Sequence, residues 1–137
     1  MNAVEKVEFG GEVFALILRH QLDLEGVNFL TPRENPIQLG ILQHRQGAEI
    51  LAHFHKDFVR RVDSVQEVLH IEYGKVEASF YTKDGTKVGM HILDVGDTIL
   101  LMRGGHGFKV LEDAIILEVK QGPYYGTSED KECLHLK

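Results

Sequence analysis

An all-β sandwich or barrel is the fold this sequence predicts, and three observations predict it. Apolar residues fall into many short or alternating segments, and few stretches carry a helical period. Glycine, proline and Asp or Asn pairs separate those segments at close intervals. One separator, Lys83-Asp84-Gly85, sits between two alternating segments, and Asp-Gly suits the primed turns that match strand twist. Antiparallel strands joined by tight turns close into a sandwich or a barrel.

Taken in chain order, the first expected strand covers residues 13–18, an unbroken apolar run after the turn pair Gly10-Gly11. Residues 37–44 form the second, following a turn stretch bounded by Pro32 and Pro36. Residues 49–55 come next, set off by Gln46-Gly47 and carrying the pair His53 and His55. Residues 65–73 and 75–81 read as two strands separated at Gly74. Residues 87–93 return from the Asp84-Gly85 turn, and Gly96-Asp97 leads into 98–102. Gly104-Gly105 precedes 107–111, and 114–120 is the last core strand before Gly122-Pro123. The polar residues 127–137 read as a tail or a short edge element, and no repeat or linker divides the chain, so one domain is expected.

Composition limits what such a domain does. A chain of 137 residues buries a real core without disulfides, and its one cysteine, Cys133, leaves nitrogen and oxygen as the donors for any metal. A reducing, cytoplasmic setting is expected. The net charge of -6 and pI near 5.7 argue against nucleic acid or an anionic membrane as the main partner. No basic leader precedes the run at 13–18, which is far too short to span a bilayer. A small-molecule ligand is the partner these bounds leave.

Parity picks out the residues that would meet it. Residues two apart on a strand share a face, so His53 and His55 can grip one ion together. Glu67 shares a face with Leu69, Ile71 and Tyr73, whereas His70 and Glu72 lie on the other. A carboxylate on an apolar face must be neutralised, hydrogen-bonded or bound to a cation. His106 shares parity with Phe108 and Val110 and is a fourth inward candidate. The bland alternatives are core or surface histidines, and a Glu67 satisfied by a tyrosine or arginine. His20, His44, His70, His91 and His135 read as structural or solvent-facing. Arg60 and Arg61 could clamp a phosphate or carboxylate if their segment folds over a barrel mouth, the alternative being a solvated tip. Gln43 and Arg45, of like parity, Tyr73, and Lys120 in the stretch 118–126 are further substrate-facing candidates. That stretch reads first as a strand end and turn, and second as a lid or interface.

The same residues resemble the cupin family. Gly47, His53, His55, Glu67 and Gly74 are similar to its first motif, and residues 96–106, from Gly96 to His106, are similar to its second. Three departures accompany the match. Eleven residues separate His55 from Glu67, where the family has three or four, so residues 56–66 would form an extended hairpin tip. Met102 stands for the usual proline, with His106 one residue early. Val110 stands for the usual asparagine. The resemblance covers about the central half of the chain. It implies a cupin-type double-stranded β-helix, a jelly-roll barrel, as a single domain over 1–137 with its core barrel at about 37–120. It also implies one divalent metal ion held by His53, His55, Glu67 and His106.

Histidine and carboxylate donors suit zinc, iron, nickel or manganese. The preferred expectation is a metal-dependent enzyme acting on a small polar, carbohydrate-like substrate by Lewis-acid isomerisation or a related step, with the substrate class taken from the family alone. One competitor is a metal-free cupin of the sugar-nucleotide ketoisomerase type, using histidines as acid and base. The other is a binding or sensing module without turnover. In a chain this short, an exposed sheet edge invites a homodimer.

Overall fold

The computed structural model describes residues 4–20 and 26–137. The chain forms two compact units, Asp23–Ser64 and the remainder, Met1–Leu22 with Val65–Lys137. Strands dominate, as expected. Among the described residues no helix is long and apolar enough to cross a membrane.

The larger unit holds β1 (Val4–Phe9), β2 (Glu12–Leu18), β5 (Glu67–Tyr81), β6 (Lys87–Asp94), β7 (Thr98–Leu101), β8 (Gly105–Lys120) and the one-turn helix α1 (Thr127–Asp130). The smaller unit holds β3 (Gly26–Phe29) and β4 (Gly40–Gln43), paired antiparallel. In the larger unit one antiparallel sheet runs β1-β2-β7-β5-β6, and β8 lies along the other side of β5. β1 and β2 meet through Gly10 (φ 59°) and Gly11 (φ 78°), the positive φ pair that a primed hairpin turn requires. The β5–β6 hairpin turns at Lys83-Asp84-Gly85 as expected, and Gly85 takes φ 89°.

The core explains the ladder. Phe14, Ala15 and Ile17 of β2, Leu69, Ile71, Val76, Ala78 and Phe80 of β5, Leu93 of β6, and Ile99 and Leu101 of β7 form one buried cluster with Val7 of β1. Leu16, Leu18 and Leu100 are buried as well, so β2 and β7 are covered on both faces and read as continuous apolar runs. At the β1–β2–β7 end a polar knot locks the sheet. Arg19 donates from Nε (2.9 Å) and Nη2 (3.1 Å) to Glu5, and from Nη1 to Asp97 (2.9 Å) and the Ile92 carbonyl (2.6 Å). The buried Asp97 carboxylate also accepts from the His20 (2.8 Å) and Asp94 (2.9 Å) amides, so its desolvated charge is satisfied.

Five expectations are corrected. Residues 65–73 and 75–81 are one strand, β5, and residues 107–111 and 114–120 are one strand, β8. Gly74 is a bend and not a reversal: its φ of 83° and its closeness to the Asp113 carbonyl leave no room for a Cβ. Residues 49–55 are not a strand, and 56–66 do not form a hairpin tip. No described strand pairs with this segment, and its apolar side chains Leu51, Phe54, Phe58 and Val59 are exposed, so the alternation that made it look like a strand has no ladder to serve. The expected strand at 37–44 shrinks to β4. Two strands, β1 and β3, and the helix α1 were not anticipated.

Candidate metal-ligand pairs and an adjoining cavity

Glu67 opens β5 and His106 lies at the start of β8, and in the ladder these positions are far apart. Glu67 pairs with Lys120, whereas His106 pairs with Phe80, thirteen residues farther along β5, or about 43 Å in a straight strand at ~3.3 Å per residue. Yet His106 Nε2 stands 3.6 Å from Glu67 Oε2. The register shifts at Ile71/Tyr73, Tyr73/Lys75 and Lys75/Val76 account for this, because bulges bend and twist a strand pair sharply. The bend curls the sheet of the larger unit into a half-barrel and carries both strand ends to one place.

The electrostatics follow from burial. The Glu67 side chain is 14% exposed and that of His106 33%. Burial pushes the His106 imidazole below its ordinary value, Glu67 and Glu118 pull it back up, and the Lys131 charge adds to the lowering. The net direction is down, so His106 favours the neutral form, which is the form that offers a lone pair to a metal or a proton. Glu67 shares its buried face with Leu69 and Ile71, as parity predicts. Tyr73 does not: beyond the register shift it turns outward opposite Ile115 and is exposed. The inward reading of His106 holds only for its own ring. Phe108 lies beside it, with ring centroids 5.7 Å apart, but Phe108 and Val110 are exposed.

His53 and His55 lie in the smaller unit, exposed and outside any strand. Strand alternation therefore does not set their direction, but their rings still stand side by side with centroids 5.5 Å apart and planes at 69°. His53 Nδ1 lies 2.8 Å from the Leu51 carbonyl, which can only accept, so Nδ1 is the donor of that bond. In neither unit do the described residues gather three or more His, Cys, Asp or Glu as a group able to hold a metal; each unit supplies one pair of the four expected ligands.

The weaker candidates separate clearly. Arg60 stacks over the Phe58 ring at 3.7 Å, and Arg61 Nε pairs with Asp63 at 2.8 Å with both side chains in solvent, so each arginine is engaged within its own segment. Gln43 ends β4 and Arg45 follows it, both exposed and in the smaller unit. Lys120 is placed best. It closes β8, pairs with Glu118 at 3.6 Å, stands 5.1 Å from the Tyr124 ring centroid, and helps to line a cavity of about 40 Å³.

Sequence reasoning did not anticipate that cavity. Val65, Glu67, Lys120, Gln121, Pro123, Tyr124, Asp130 and Lys131 line it. Its signal in the sequence was the stretch 118–126, which the structure shows to be a strand end leading into a wall beside Glu67. Comparison with protein-family models, curated proteins and solved structures found no match.

Proposed function

We propose that this chain is a metal-binding protein of cupin type, and that it acts as a metal-dependent enzyme on a small polar, carbohydrate-like substrate by Lewis-acid isomerisation or a related step. The observation that carries the reading is the convergence of Glu67 and His106 at 3.6 Å. A largely buried carboxylate beside an imidazole biased toward neutrality is the donor chemistry that zinc, iron, nickel or manganese takes. In the smaller unit His53 and His55 keep the His-x-His spacing of the cupin pattern. A divalent ion bound by Glu67 and His106 would polarise a substrate carbonyl or acidify a water. Glu67 would fix the charge of the site, and His106, held neutral, would give its lone pair without first losing a proton.

The same pair favours one second reading, a metal-free isomerase in which histidine acts as acid and base. His106 beside Glu67 is an imidazole poised to take a proton and a carboxylate placed to stabilise the resulting charge. Elemental analysis separates the two readings. Protein purified without chelator is expected to carry close to one equivalent of metal, and less than about a tenth of an equivalent, with no rebinding, overturns ligation. His106→Ala is expected to lower metal affinity by about 10- to 100-fold or more with the fold intact, since the core cluster lies elsewhere. Full occupancy in that variant removes His106 from the ligand set. We further propose assembly as a homodimer. In the larger unit β8 pairs with β5 alone, and its exposed Val110, Ile115, Leu117 and Val119 favour a partner.

A further inference from the structure

We propose that residues 131–137 are a clasp that keeps the β5–β8 ladder bent, with Leu134 as the positioning residue that holds Glu67 and His106 together. The proposal rests, for its consequence, on the reading of that pair as the reacting centre. The segment touches both ends of the ladder. At its start Lys131 follows α1, donates its amide N–H to the Thr127 carbonyl at 2.9 Å, and lines the same cavity wall as Glu67 and Lys120, where β5 begins and β8 ends. The Lys131 charge also reaches the His106 ring. At its middle the Leu134 side chain fills the place where a Cβ of Gly105, the first residue of β8, would stand. At its end the Lys137 amide donates to the Gly85 carbonyl at 3.2 Å, its ammonium meets Asp84 at 2.8 Å, and the His135 carbonyl occupies the space beside Gly85. Gly85 is buried in consequence, although it sits in a hairpin turn, where backbone ordinarily lies at the surface.

Length decides what these contacts do. Glu67 and Tyr81 bound the 15 residues of β5, so a straight ladder would hold its two ends about 46 Å apart at ~3.3 Å per residue. The chain from Lys131 to Lys137 reaches about 25 Å at most. It can meet the Glu67 wall and the Gly85 turn together only when the ladder is bent. Contacts that exist in one arrangement and not in the other shift the balance toward the first, so the docked segment favours the curl. The register shifts make the bend possible, and the clasp holds it. Among its anchors, the Lys137–Asp84 pair lies in solvent and contributes little alone. Leu134 is apolar and partly buried, and it packs against the residue that precedes His106. Its loss is the change expected to open the clasp.

The test places a nitroxide on the exposed turn, as Lys83→Cys in a ¹⁵N-labelled full chain carrying Cys133→Ser, and reads the paramagnetic broadening of backbone amides along the ladder. The bent ladder brings Glu67 and Lys120 within reach of the label, and a straightened one takes them out. His106 pairs with Phe80 at the label's own end and is the internal control. The expected result is strong broadening at all three amides, loss of about half or more of it at Glu67 and Lys120 in Leu134→Asp with His106 unchanged, and full retention in Leu134→Met. Leu134→Ala, which removes the contact without adding a charge, should give a smaller loss of the same pattern. Broadening at Glu67 that Leu134→Asp and Leu134→Ala both leave at the parent level overturns the clasp, because the ladder then bends without it. So does an equal loss in Leu134→Met, which keeps the apolar contact. Zinc added to the same samples is expected to bind Leu134→Asp about tenfold more weakly than the parent. That arm reports separately on ligation: zinc bound by no variant, with the broadening lost as expected, upholds the clasp and overturns the ion, whereas full broadening in the Leu134 variants overturns the clasp whatever the zinc does.

Discussion

Arg19 shows how much one side chain can decide. It is the counter-charge of Asp97, whose side chain is only 5% exposed. Removing one partner of a buried pair leaves a desolvated charge, so Arg19→Met is expected to cost about 2–3 kcal/mol in urea denaturation. Its other partner gives the fold an acid limit. The Arg19 fork holds the Glu5 carboxyl below its ordinary value of 4.5, outweighing the opposing effect of burial. A carboxylate whose pKa is lower folded than unfolded adds stability that is present above pH 4.5 and is lost as pH falls through the folded value. Thermal melts between pH 7 and 3 should show that loss, and Glu5→Gln should flatten the decline below pH 4.5 while lowering stability at neutral pH. At this scale the candidate site was partly legible. Glu67 was found because a carboxylate on the face of Leu69 and Ile71 is a local anomaly that parity exposes. Gln121 stood out only as part of the stretch 118–126, because its bond to the Gln66 amide joins residues 55 apart in sequence.

At the scale of elements the sheet was legible wherever pattern and partner agreed. β2, β6 and β7 emerge close to their expected bounds because apolar runs and glycine turns frame them. β1 escaped notice because Val7 is its one buried residue, and Val-Glu-Lys-Val-Glu-Phe looks like a solvated segment until β2 is set beside it. Residues 49–55 erred the other way: alternation suits a strand, but a ladder needs a second edge, and no described strand supplies one. Gly74 is the most instructive case. A glycine between two alternating runs announces a change of direction without saying whether the chain reverses or bends, and only the opposing Asp113 carbonyl on β8 decides it. Gly74→Ala combines a positive φ with a clash against backbone, and it is expected to cost about 2–4 kcal/mol in chemical denaturation. It should also lower metal affinity, since Glu67 and His106 lie on opposite sides of the bend.

For the molecule as a whole, the proposed homodimer would rest on β8. Sixteen residues long, it is paired in the larger unit on one side. In an antiparallel two-fold pairing with Lys109 opposite Glu118 of a second copy, Val110 meets Leu117 and Phe108 meets Val119, and each contact occurs twice. Light scattering is expected to give a dimer, and Leu117→Lys should shift it toward monomer; a wild-type protein that is monomeric at high concentration rules the dimer out. The net charge of -6 would oppose growth of such a dimer into larger assemblies by mutual repulsion. The bent β5–β8 ladder carries one more implication. Because the spacing of Glu67 and His106 sums the curvature of thirteen residue steps along β5, it acts as a gauge: flattening spread over the whole ladder, too slight to see at any single residue, accumulates at the two ends. The ring protons of His106 would then register in an NMR spectrum a slow flexing of the entire sheet, making one imidazole the reporter for a motion that no side chain undergoes by itself.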